Sequence, residues 1–382
     1  RHLEHPEPVK FGQPIVWGGR GSQDRVFLAV CHDPCKQMLD KQSLRREIAG
    51  RRRRLTSSVA KYRSKRICER AKEILEKTEA ESVLTFVGLP HEPDTRPLLE
   101  HIIVTGRSLV LPRVERPELR LFRVRDLDVQ LHPSEPYGIL EPAPDLCEPW
   151  IDKPIELGFI PGVAFDIRGN RIGHGQGFFD RTLALLVPEI ERYGLSFEFQ
   201  MRRSVPCDDH DIAMDGVITE SHLYRPATTQ LRSHSPEETE ALGQRLAQVL
   251  PSESVLALSG PLGCGKTVLV KGLARGLGIH EEIVSQTFTL AKEYHGEIGR
   301  LWHADLYRLK GDRDVDFAFW SELLDEAGIK AIEWGERLGD NIPLDAIVME
   351  AEVNSENERT WSLFTSVPEQ NRVHSAMVGS IV

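Results

Sequence analysis

Ser259-Gly260-Pro261-Leu262-Gly263-Cys264-Gly265-Lys266-Thr267-Val268 decides how the C-terminal part of this chain folds. Gly260 is followed, after four residues, by Gly265-Lys266-Thr267, which is the phosphate-loop spacing G-x-x-x-x-G-K-[ST]. Glycines let successive backbone N–H groups curl around a triphosphate where a Cβ would block the dihedrals. Lys266 supplies a point charge for the terminal phosphates, and the Thr267 hydroxyl is a Mg²⁺ ligand. The flanks agree with this reading. Ser254–Leu258 reads as a buried strand, and Val268–Leu277 as a helix whose N-terminus faces the phosphates. Within the loop, Gly260, Gly263, Cys264, Gly265, Lys266, Thr267 and Val268 are the expected nucleotide contacts.

The 382 residues leave room for two or three domains with their own cores. At 40% hydrophobic, 28% charged and a formal net charge of −10, the composition is that of an ordinary soluble protein. That acidity argues against a nucleic-acid coat while allowing a local basic face. The longest apolar runs are far too short for a membrane span, and no basic-then-apolar leader opens the chain. Cysteines at 31, 35, 68, 147, 207 and 264 form no disulfide framework, so a reducing, cytoplasmic location is expected. Residues 1–40 read as an unassigned arm, in which Cys31 and Cys35 lack a second ligand pair for zinc.

Two basic helices should follow, Lys41–Arg54 and one from Ser57 or Ser58 to about Lys77. Between Lys41 and Lys72 there are 13 basic residues and two acidic ones, a face suited to polyanions or simply to solvent. Strands are expected at Ser82–Val87, Ser108–Leu111, Leu119–Val124 and Ile155–Ile160, alternating with helices in the manner of an open doubly wound α/β sheet. At a strand end lies Asp166-Ile-Arg-Gly-Asn-Arg171-Ile-Gly173-His174-Gly175-Gln176-Gly177-Phe178-Phe179-Asp180. Alternate glycines before a helix read either as a second cradle for phosphate or as a structural turn.

Several strings share one order: Lys41-Gln-Ser-Leu-Arg45-Arg46, Glu92-Pro-Asp94-Thr95, Leu111-Pro-Arg113, Tyr137-Gly-Ile-Leu-Glu-Pro142, the glycine segment and His210-Asp211…Met214-Asp215-Gly216. With them, residues 41–226 resemble the 5-formyltetrahydrofolate cyclo-ligase (methenyltetrahydrofolate synthetase) family. The resemblance implies ATP- and Mg²⁺-dependent closure of 5-formyltetrahydrofolate to 5,10-methenyltetrahydrofolate. It implies that Lys41, Arg45, Arg171, Gly173, His174, Gly175, Gln176, Gly177, Phe178, Phe179 and Asp180 hold ATP, with Arg171 catalytic. Glu92 and Tyr137 should touch the folate, and Asp166 the magnesium. Phe178-Phe179 stands where the family usually has a tyrosine, and Gln176 where it has a glycine or a basic residue.

Residues 227–234 read as a polar linker, and Ser235-Pro-Glu-Glu-Thr239 as a capped helix start. Ser285-Gln-Thr287-Phe-Thr-Leu290 resembles a switch segment with Thr287 sensing Mg²⁺ or the γ-phosphate. Asp305 ends a strand as a second Mg²⁺ holder, and Ile332-Glu333-Trp334 ends another, with Glu333 available to polarise water. Together with His303-Ala-Asp305-Leu-Tyr-Arg-Leu309, these strings make 235–365 similar to the TsaE (YjeE) family. That family's compact P-loop ATPase serves threonylcarbamoyladenosine synthesis on tRNA. The resemblance implies Lys266 and Glu333 as catalytic residues, Trp334 near the nucleotide, and the TsaB–TsaD pair as partners, with tRNA an indirect one. Pro261, Gln286 and Val268 depart from the family's usual residues. No guanine-reading Asn-Lys-x-Asp occurs, which favours ATP. Residues 366–382 read as a frayed tail. The whole is expected to be a bifunctional fusion; the alternative is a catalytically weak cyclo-ligase-like scaffold joined to a generic P-loop kinase.

Overall fold

The computed structural model describes residues 40–116, 118–134, 138–186, 190–208, 210–284, 290–309 and 316–378. The expected arm, Asp40 apart, lies outside them, as do Tyr137 and Thr287. Among the described residues no helix is long and apolar enough to cross a membrane.

Asp40 starts the first helix, Lys41–Arg54, by accepting the Ser43 N–H at 2.8 Å. Leu44, Ile48 and Arg52, four residues apart, form its buried stripe, and four arginines in the last turn complement the helix dipole. The second helix, Ser57–Glu76, is capped by Thr56, one residue ahead of the two serines expected.

The first sheet has eight strands in the order Leu223–Tyr224, Gly216–Ile218, Glu191–Leu195, Leu157–Ile160, Ser82–Leu84, Ser108–Glu115, Glu118–Val124, Glu148–Pro149. Its centre is parallel and its two edges antiparallel. Ser108–Glu115 runs through Pro112, where a stop is expected, because it pairs with Glu118–Val124 near the sheet edge. A three-stranded sheet, Met201–Arg202, Ala164–Asp166 and Arg171–Ile172, carries the alternate-glycine segment.

The second sheet has seven strands: Ala227–Ser233, Arg359–Thr365, Ile347–Val353, Val255–Ser259, Ile329–Glu333, Arg300–Asp305, Ala291–His295. The supposed linker is thus a correction. Residues 227–233 pair antiparallel with Arg359–Thr365 along their whole length, and Leu231 and Ser233 are buried. The supposed tail is another. Helix Asn371–Val378 buries Val373 and Met377, and His374 bonds the hydroxyls of Thr229 at 2.7 Å and Thr365 at 2.8 Å.

The two halves share a core. Ile155, Ile160, Met214, Val217 and Tyr224 pack in one apolar cluster with Phe364 and Val367. The Arg168 guanidinium lies 4.7 Å from the Phe364 ring centre, and Arg203 donates to the Pro343 carbonyl at 2.7 Å.

Candidate functional site

In the first half, Arg171–Ile172 leads into the glycine segment and Phe178–Leu186 leads out of it as a helix. Gly175 (φ 101°) and Gly177 (φ 63°) hold left-handed backbone that other residues rarely adopt, which turns the loop around an opening. Arg45 donates from Nε to the Gly173 carbonyl at 2.8 Å, tying the first helix to this loop. Arg171 is buried. Its Nη2 bonds Asp180 Oδ1 at 2.7 Å, while its buried Nε has no partner among the described residues. Arg181 donates to the Gln176 carbonyl at 3.0 Å and lies over Phe178. Phe179, partly buried, packs against two apolar core clusters.

Lys41 bridges Asp208 at 2.7 Å and Asp211 at 2.6 Å. Burial alone would lower its pKa, but the two carboxylates more than offset that and raise it. Asp208, His210 and Asp211 bring ligand-type atoms within 4.8 Å of one another. Both carboxylates of this cluster are engaged by the Lys41 ammonium.

Asp166 does not join that cluster, a further point at which expectation fails. It is fully buried, and four donors occupy both its oxygens: the N–H groups of Arg168, Asn170 and Val205, and the Asn170 amide, at 2.9–3.0 Å. Burial pushes its pKa up to about 6. Asp166 therefore shapes the turn ahead of the loop and offers nothing to a metal.

Glu92 is buried between Arg52 Nη1 at 3.1 Å and His174 Nε2 at 2.9 Å. Burial pushes its pKa up, and the His174 hydrogen bond and Arg52 charge bring it below the usual carboxylate range. Arg52 also donates to the Gly162 carbonyl at 2.8 Å. Sequence reasoning missed Arg52 because it stands in a run of four arginines; the four-residue spacing from Leu44 and Ile48 was the available signal.

In the second half, Val255–Ser259 enters the loop, and Gly260 (φ 131°), Gly263 (φ 78°) and Gly265 (φ 104°) curl it. At Gly260 a Cβ would meet the Ala351 carbonyl at 2.6 Å, so only glycine fits. The helix begins at Lys266, two residues earlier than expected. Lys266 Nζ bonds the loop's own carbonyls, Gly260 at 2.8 Å and Pro261 at 3.0 Å, and lies 3.8 Å from the Trp334 ring centre. Cys264 is buried beneath the loop.

The parallel register of Arg300–Asp305 with Ile329–Glu333 sets Asp305 directly beside Glu333. Thr267 Oγ1 donates to Glu333 Oε2 at 2.9 Å, and His303 Nε2 is 2.9 Å from Glu333 Oε1. Glu333 is buried with both oxygens engaged, so it holds Thr267 and does not project as a free acid. A cavity of about 120 Å³ beside the loop is lined by Gly263, Cys264, Gly265 and Val268, and also by Ser235, Thr239 and Arg359. Ser235 and Thr239 were legible in the sequence only as a helix start, and Arg359 not at all, because helix Pro236–Val249 and strand Arg359–Thr365 meet the loop only in the folded chain.

Residues 37–220 match the 5-formyltetrahydrofolate cyclo-ligase family, and residues 233–361 match the family described as threonylcarbamoyl adenosine biosynthesis protein TsaE. The chain is 40% identical over 127 residues to the tRNA threonylcarbamoyladenosine biosynthesis protein TsaE of Treponema pallidum, covering 33% of this chain and 93% of that one. Its identity to the corresponding protein of Aquifex aeolicus is 42% over 132 residues, or 34% and 91% of the two chains. The NMR structure of Aquifex aeolicus 5,10-methenyltetrahydrofolate synthetase is 29% identical, with a TM-score of 0.44 over 49% of this chain and 93% of that one.

Proposed function

The chain is a fusion that belongs to the 5-formyltetrahydrofolate cyclo-ligase family in its first half and to the TsaE family in its second, and from that premise we propose a two-site ATP-using protein. The first site closes 5-formyltetrahydrofolate to 5,10-methenyltetrahydrofolate; the second is the ATPase of threonylcarbamoyladenosine synthesis on tRNA. The observation that carries the reading is the pair of separate glycine cradles, each with its own buried cation, Arg171 and Lys266.

A formamide oxygen is a poor leaving group. Transfer of the γ-phosphoryl group to that oxygen releases ADP; N10 then attacks the activated carbon and gives up its proton, and the C–O bond breaks as phosphate departs and carries that proton away. The protein's work is positioning and charge neutralisation. Arg171, with one N–H uncommitted, faces the transferring charge, and Arg45 and the loop amides hold the remaining phosphates. Glu92, fixed by Arg52 and His174, accepts hydrogen bonds from the folate. Mg²⁺ would lie with Asp211 in the first site and with Thr267 and Asp305 in the second, where it would neutralise phosphate charge. The site residues of both halves, the TsaB–TsaD pair as partners, Mg²⁺ and a cytoplasmic location are part of this proposal.

The test is to mix the protein with 5-formyltetrahydrofolate and MgATP and follow methenyl absorbance in the near ultraviolet. Wild type and Lys266→Ala should both form product, and Arg171→Ala should lose it. Loss with Lys266→Ala would overturn the two-site reading. For the second half, the TsaB–TsaD pair should be captured differently in ATP and in ADP; nucleotide-independent behaviour would favour a solitary kinase.

A further inference from the structure

His303 stands two residues before Asp305 on the same strand, so both side chains leave the same face of the sheet. On the neighbouring strand, Ala331 lies opposite His303 and Glu333 opposite Asp305. The imidazole is fully buried, its Nε2 is 2.9 Å from Glu333 Oε1, and its Nδ1 has no partner among the described residues. A proton on Nδ1 would be a buried donor with no acceptor, a costly arrangement. The ring proton therefore belongs on Nε2, where Glu333 accepts it.

The consequence falls on Thr267. Glu333 Oε2, held in place by the bond at its other oxygen, accepts the Thr267 hydroxyl proton at 2.9 Å. With its proton committed to Glu333, Thr267 Oγ1 presents only lone pairs on its remaining sides. Those lone pairs are what a divalent cation needs. A hydroxyl free to rotate would spend part of its time with its proton toward the cation.

We propose that His303 is a positioning residue: by fixing Glu333 it pre-orients the Thr267 hydroxyl as a metal ligand in the second nucleotide site. This rests on reading that site as one for MgATP. It assigns His303 a role that neither the loop motif nor Asp305 requires.

The test uses the full chain with Arg171→Ala to silence the first site, and Lys266→Ala as the background to subtract. ATP affinity is measured with Mg²⁺ and with Mg²⁺ chelated, alongside phosphate release without folate. His303→Leu fills the space without a donor; His303→Gln keeps an N–H that can reach Glu333. For His303→Leu, Mg²⁺-free ATP affinity should stay near wild type. Its Mg²⁺-dependent gain in affinity should fall about 10- to 100-fold, the range found for residues that orient a metal ligand. His303→Gln should recover most of that gain. Thermal melting of each variant reports folding separately. An unchanged Mg²⁺ gain in folded His303→Leu, or equal losses in Leu and Gln, overturns the inference while leaving the site's reading intact. Absence of any Lys266-dependent ATP binding overturns both.

Discussion

At the scale of single residues, one charge environment decides how a site side chain behaves. Glu92 is held ionised in a buried place by Arg52 and His174. An acid whose pKa is depressed on folding adds stability that is fully present above its unfolded value, about 4.3, and lost as pH falls through the folded value. Glu92→Gln leaves the Arg52 charge buried and unbalanced, a change that should cost about 3–5 kcal/mol at neutral pH. Denaturant unfolding should show the gap between wild type and variant narrowing when pH is lowered from neutral to below the carboxylate range. A constant gap across that interval would mean that the carboxylate charge is not what stabilises the site. Asp166 shows the same physics with the opposite outcome: a carboxyl surrounded by backbone donors is consumed by the turn it builds.

At the scale of elements, the helix that follows the phosphate loop is set by backbone contact. Lys266–Gly276 packs on Pro236–Val249 so closely that a Cβ at Gly272 would lie 1.9 Å from the Glu240 carbonyl and one at Gly243 2.1 Å from that of Leu269. Alanine favours a helix over glycine by about 1 kcal/mol, but here it must push two backbones apart, an overpacking cost of about 1–3 kcal/mol or more. Gly272→Ala should therefore lower the melting temperature and weaken nucleotide binding at Lys266 without changing the methenyl-forming rate. A rise in melting temperature would show the contact to be looser than the geometry states. The caps of these elements were legible from sequence. Ser235 accepts the Glu238 N–H at 3.2 Å, and Glu238 returns a bond to the neighbouring His234 N–H at 2.7 Å. The pairing of residues 227–233 was not legible, because their partners lie more than a hundred residues away.

At the scale of the whole molecule, the two halves are joined by more than covalent continuity. Arg168 and Arg203, which flank the three-stranded sheet under the first cradle, both reach the second half. Burial and the nearby Arg168 pull the Arg203 pKa down to about 10, and Asp340 and Asp345 work in the opposite direction. Phe364 is at the centre of the seam, buried by residues from both sides. Truncating a buried phenylalanine costs about 3–5 kcal/mol, and here that loss falls on the contact between halves. Calorimetry should find one dominant unfolding transition in wild type and two separated ones in Phe364→Ala. Two transitions already present in wild type would show that the halves unfold independently.

The amino-acid sequence alone determined both glycine cradles, the strand-then-helix setting of each, and, to within one or two residues, the starts of the helices that flank them, because turn dihedrals, capping and period are properties of a few adjacent residues. It could not say that residues 227–233 complete a sheet, that 371–378 fold back onto it, that Arg52 alone of its run is buried, or that Asp166 is occupied. Nor could it set His303 against Glu333. Those outcomes depend on which distant groups compete for the same buried donor, acceptor or apolar surface, and only the assembled tertiary structure brings the competitors together.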